Sequence, residues 1–223
     1  MMDPNRKHWN DKQKELQAAL SHPGDGVVAI ELFLGQHAMV HTAAMSGSGL
    51  WSYEDEVMDG LGEADLRRIP LKGEHSVAWA LWHLARIEDV TMNMLVAGTP
   101  QLFYKDEWPK KLKVSLRETG NSLDEAAIAA LSANVDIPAL RAYRLAVGRR
   151  TDEIVKELRP TDFKRKVDPL RLEKVLAEGA VEPAAKWLLE YWSGRTMAGL
   201  LLMPPTRHNF VHLNEIAKLR SKL

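Results

Sequence analysis

The chain carries eight histidines and no cysteine, so any metal or nucleophile chemistry rests on imidazole or on something bound. His208 and His212 are four residues apart, and on a helix both rings project from one face. His-x-x-x-His is the shortest helical spacing that lets two nitrogens converge on one ion. Glu215 falls on the same face and could add an oxygen or orient a ligand. His83 belongs to a separate segment. At about 100° per residue, Val90 and Met94 lie within about 20° of it, and Trp79 and Ile87 within about 40°. His83 therefore points into an apolar stripe, while Glu88 and Asp89 fall well away from it. Either feature alone reads equally as a core histidine or a polar helix end; together, His83, His208 and His212 favour a metal centre.

A second pair, His37 and His41, shares its face with Ile30, Phe33, Leu34 and Ala44. Five of the eight histidines would then face a common core. Packing gives no reason for that, and desolvating five imidazoles is unfavourable unless hydrogen bonds or an ion compensate. At least one of the pair, His41 for preference, is expected beside the same site. His8 and His22 lie near helix ends and are expected in solvent; His75 sits where it could cap a helix.

The elements that must position these residues are helical, and convincing strand alternation is absent. Trp9 to His22 reads as an amphipathic N-terminal helix. Four helices of bundle length follow, at 26–45, 76–97, 137–158 and 206–222, with Asp25, Ser76, Asp136 and Thr206 as N-caps. Shorter helices decorate the connections. Ser52 with Asp55 and Ser122 with Glu125 resemble capping boxes, Asp168-Pro169 opens a helix ended by Gly179, and Glu182 to Leu202 reads as helical. Residues 99–121 read as a loop-rich connection. The expectation is all-α, a four-helix bundle forming one domain over 1–223, with its core at about 26–222 and residues 1–25 as a helical extension.

Composition excludes several classes. Thirty basic residues balance thirty acidic ones, so no global field draws the chain to nucleic acid or a membrane. The basic residues from Arg141 to Lys166 read as a solvated helix face, and the tryptophans at 51, 79, 82, 108, 187 and 192 as packing. No apolar run reaches the roughly 18 residues of a membrane span, and the N-terminus has no apolar signal segment, so a cytoplasmic location is expected. Arg86 and Arg207 neighbour the candidate ligands and could hold an anionic substrate or pair with Glu88, Asp89 or Glu215.

At HSVAWALWHLARIED and TRHNFVHLNEI the sequence resembles the DinB-like (DinB/YfiT) family of metal-binding four-helix proteins. Ser76, Trp79 and His83-Leu84-Ala85 match its first motif; His208, His212 and Glu215 match its second. The resemblance implies that His83, His208 and His212 ligate a divalent ion, zinc or nickel, and that the chain forms homodimers. It also implies a long crossover between middle helices. Some relatives transfer or isomerise substrates using a low-molecular-weight thiol. The extra pair His37/His41 and the segments around 99–135 and 160–182 depart from the family pattern.

The reading that results is a metal-dependent enzyme on an unidentified small molecule, a thiol-dependent transferase or a hydrolase. Three histidines leave positions open for water or a thiol, and Glu215 is the candidate catalytic base or the partner that orients a ligand. The alternative is a non-catalytic structural or sensory metal bundle, favoured if His41 or Glu215 closes the site as a fourth ligand.

Overall fold

A computed structural model describes residues 3–223. It is 71% helical, and among the described residues the sole β pairing is a bridge between Lys166 and Thr196. Helix α1 (Pro4–Ser21) packs along α2 (Gly26–Ala38). Helix α3 (Val77–Asp89) runs on through a π-helical stretch, Val90–Ala97, to Gly98, whose φ of 73° closes it in the left-handed region. Helix α4 (Ile137–Glu157) lies against α3, and α5 (Asn209–Arg220) packs on α3 and on the short helix Tyr53–Met58. Among the described residues no helix is long and apolar enough to cross a membrane.

Local chemistry explains most boundaries. Ser76 Oγ accepts from Trp79 N at 3.0 Å, Asp136 from Ala139 N at 3.1 Å and Ser52 from Asp55 N at 3.0 Å, so these three caps form as expected. Others do not. Asp25 makes no capping bond, and Asp124 rather than Ser122 caps Glu125–Asn134. Residues 99–121 contain two short helices, Leu102–Lys105 and Trp108–Leu112. Glu182 to Leu202 breaks into Pro183–Ala185, Trp187–Ser193 and Met197–Leu201, with Gly194 at one break and Thr196 as a new cap.

Helix α2 stops at Ala38 instead of reaching residue 45, and tertiary donors take the three carbonyls that follow it. Tyr53 N reaches Met39 O, Arg144 Nη2 reaches Val40 O, and Ser52 Oγ reaches His41 O at 2.7 Å. Thr206 does not cap the last helix either. Pro205 has no N–H to offer Leu201 O, and the Thr206 hydroxyl supplies that bond at 2.9 Å. Gln13 Nε2 takes Leu202 O at 3.1 Å. The chain passes through a π turn, Met203–His208, into α5, and that turn delivers His208.

The core falls into two apolar clusters. One holds Trp9, Val77 to Ala85, Leu140 to Val147 and Phe210 to Leu219; the other holds Leu16, Phe33, Ile87 to Val96, Ile154 and Leu200. Between them a buried polar layer crosses the bundle: Gln13, Gln36, His37, His41, Glu88, Thr151, Thr206 and Asn209. Every residue of α3 is buried, so Glu88 and Asp89, expected away from the apolar stripe, are inside as well. Helical phase sorts faces only when a helix has a wet side, and α3 has none.

Candidate metal centre

The motif histidines meet. His83 comes from the middle of α3, His208 from the end of the π turn and His212 from the first turn of α5. His83 Nε2 lies 3.0 Å from His208 Nε2, and His212 Nε2 lies 3.2 Å from the same atom. Trp79 stacks on the His83 ring, with centroids 5.0 Å apart and planes within 4°.

The other nitrogen of two of these rings fixes the tautomer. His83 Nδ1 is 2.8 Å from Thr119 O, which can only accept, so Nδ1 carries the proton and Nε2 presents a lone pair. His212 Nδ1 donates to Glu215 Oε2 at 2.6 Å, with the same result. Thr119 is the residue that sequence reasoning missed. Gly120, at φ +94°, turns the loop tightly against Trp79 and Trp82 and so brings the Thr119 carbonyl to His83. No side-chain pattern marks a backbone oxygen.

Two lone pairs thus face His208 Nε2, which can donate at most one proton, while His208 Nδ1 is buried without a partner. Three nitrogens within 4.8 Å of one another, with at most one proton among them, suit a divalent cation that accepts all three lone pairs. Burial, reinforced by His212, pushes the His83 imidazole down to about 3, and burial with His83 and His212 holds His208 well below its usual value. The His212 bond lowers Glu215.

Glu215 therefore orients His212 through Nδ1; its distance to the ring leaves it outside the circle of Nε2 atoms. His75 does not cap α3, a role Ser76 fills; its ring packs T-shaped against Trp79 with centroids 4.1 Å apart, and its Nε2 is 4.0 Å from Glu215 Oε2. His8 and His22 are exposed, as expected. The His208 ring also lines a cavity of about 210 Å³, walled by Ile87, Trp187, Leu188, Tyr191, Trp192 and Met203.

His37 and His41 are inside but hold a different partner. Both bond to Glu88, and His37 bonds also to Asp152, so neither joins the three motif histidines. Asn209, next to His208, donates to Glu88 Oε2 at 2.8 Å and links the two groups. His37, His41 and Glu88 are also close enough together to hold an ion. Although burial disfavours a charged ring, Glu88 and Asp152 raise His37 to about 9; burial lowers His41.

The two arginines are occupied. Arg86 is enclosed, giving 2.7 Å bonds to Gln101 Oε1 and Arg117 O and lying 3.5 Å from Asp89 Oδ2. Arg207 bonds Asn10 Oδ1 at 2.8 Å and lies over the Trp9 ring. The hydrogen bonds of both arginines go to groups other than the three motif histidines.

A model of the DinB superfamily matches residues 49–194. The chain belongs to the DinB superfamily. The match takes in His83, Glu88 and Asp152 and ends before His208 and His212, so the C-terminal half of the candidate centre rests on the geometry above. No curated protein matches the chain.

Proposed function

We propose that this DinB-superfamily protein is a metal-dependent enzyme whose ion is held by His83, His208 and His212. The observation that carries the reading is the convergence of three Nε2 atoms, two of them locked as lone pairs, at a histidine that also lines a cavity. Held by these three rings, a divalent cation, zinc or nickel, would supply the Lewis acidity that ionises a thiol or a water near neutral pH.

The chain's own residues do the rest. Thr119 and Glu215 hold two rings in their ligating tautomer, and Trp79 packs the His83 plane in place. The apolar cavity wall beside His208 offers a surface for an uncharged substrate body. Glu215, 38% exposed at its side chain, accepts the hydrogen bond from His212 Nδ1 and can exchange a proton with solvent. Neither residue considered as a closing fourth ligand takes that place: His41 bonds Glu88 and Glu215 bonds Nδ1 of His212. That supports an open, catalytic site over a structural or sensory one. With no cysteine in the chain, a thiol-dependent reaction borrows its thiol.

The test feeds metal-loaded and metal-stripped protein two substrate sets: a small thiol with electrophiles, and hydrolysable esters and amides. Conjugation by the loaded protein alone supports the transferase, and hydrolysis alone supports the hydrolase. Inactivity in both, with a fourth protein ligand on the ion, would refute the enzymatic reading.

A further inference from the structure

The buried layer between the two apolar clusters contains a second set of groups with ligand chemistry. Glu88, His37 and His41 have no exposed side-chain surface. Glu88 Oε1 accepts from His37 Nε2 at 2.8 Å and from Thr151 Oγ1 at 2.8 Å. Its Oε2 accepts from His41 Nε2 at 3.0 Å and from Asn209 Nδ2 at 2.8 Å. On the far side of His37, Nδ1 meets Asp152 Oδ1 at 2.8 Å, while His41 Nδ1 is buried without a partner.

We propose that His37, His41 and Glu88 form a second divalent-cation site, separate from the three-histidine centre.

Three features support it. The donor set, two imidazole Nε2 atoms and a carboxylate, is that of a borderline cation such as zinc. Asp152 holds the outer nitrogen of His37, the carboxylate–histidine arrangement that fixes a ligand's tautomer and orientation. The third is charge. Glu88 and Asp152 bring two negative charges to the two rings, and one imidazolium balances only one of them; a divalent cation between neutral rings balances both. The neighbouring guanidinium of Arg144 is already paired with Glu54 at 2.6 Å.

Space is adequate as well. Ligands at about 2.1 Å from a tetrahedral ion lie roughly 3.4 Å apart, so the two contacts to Glu88, at 2.8 and 3.0 Å, open by a few tenths of an ångström, and all three donors already lie within 4.8 Å of one another. Gly148 leaves the His41 ring free, since a Cβ there would sit 2.9 Å from its Nδ1. The ion takes the place of the protons that now bridge each Nε2 to Glu88.

The experiment counts ions. Wild-type protein is stripped with chelator, reloaded with zinc, desalted and measured by native mass spectrometry. Two ions per chain are expected for the wild type, one for the H83A/H208A/H212A variant and one for H37Q/H41Q. Cadmium-113 resonance on the intact wild type needs no variant, and two signals are expected at saturation. A single signal that is lost in H83A/H208A/H212A, or a wild type with one ion and an H83A/H208A/H212A chain with none, overturns the proposal while leaving the three-histidine centre standing. If H83A/H208A/H212A keeps every ion the wild type holds and H37Q/H41Q loses one, the second site stands and the three-histidine reading fails.

Discussion

Removing the Glu215 carboxylate should weaken metal binding without touching any ligand nitrogen. Its Oε2 accepts the His212 Nδ1 proton at 2.6 Å and keeps the Nε2 lone pair on the ion's side. Loss of such an orienting partner costs about 10–100-fold in metal affinity. Glu215 is 38% exposed at its side chain, so water can replace it in Glu215→Ala, which places the effect at the low end. The expected loss is about tenfold, or roughly 1.4 kcal/mol. In Glu215→Gln the amide oxygen still accepts, and a neutral bond is about half as strong as a charge-assisted one, giving a loss of about threefold. Competition against a chromophoric chelator measures both constants on folded protein. His83, oriented by the Thr119 carbonyl, is untouched in either variant. Equal affinities for wild type and Glu215→Ala would refute the role assigned to Glu215.

Single substitution of His83, His208 or His212 by alanine should abolish retention of the ion through gel filtration, whereas His8→Ala and His22→Ala should retain it, as read by elemental analysis. Gly148→Ala gains about 1 kcal/mol of helix propensity, yet its Cβ meets Met45 Cγ at 2.8 Å and the His41 ring at 2.9 Å. Overpacking costs about 1–3 kcal/mol, so a net loss of up to about 2 kcal/mol is expected in urea unfolding. In metal-stripped protein, His37 is raised from 6.5 to about 9 by Glu88 and Asp152, so its contribution is complete below pH 6.5 and lost as pH rises to 9. A decline on the order of 3 kcal/mol is expected across that window, and a flat profile in His37→Gln; a wild type equally stable at pH 6.5 and 9.5 would contradict the ion pairing.

Much of this was legible from residue types and spacing. Ser76, Ser52 and Asp136 act on groups two or three residues away, so their capping roles survive any tertiary context. The spacing of His208 and His212 is a local fact as well, and pairing it with His83 needed only the motif. What escaped depended on neighbours distant in sequence. Glu88 was expected away from the apolar stripe because phase sorts faces only on a helix with a wet side, and α3 is buried throughout. At least one of His37 and His41, His41 for preference, was expected beside the first centre, but a carboxylate on the same α3, five residues past His83, collects both instead. Thr206 looked like a cap until the two prolines before it left a carbonyl for its hydroxyl to fill. The Thr119 carbonyl leaves no trace in side-chain chemistry at all.

Anomalous diffraction from zinc-loaded crystals tests the central claim most directly. An ion bonded to Nε2 of His83, His208 and His212 at about 2.0–2.1 Å is expected, with Nδ1 of His83 and His212 still on Thr119 and Glu215 and at least one position free of protein. An ion coordinated by four protein groups, or density through those three rings with no ion among them, would contradict it.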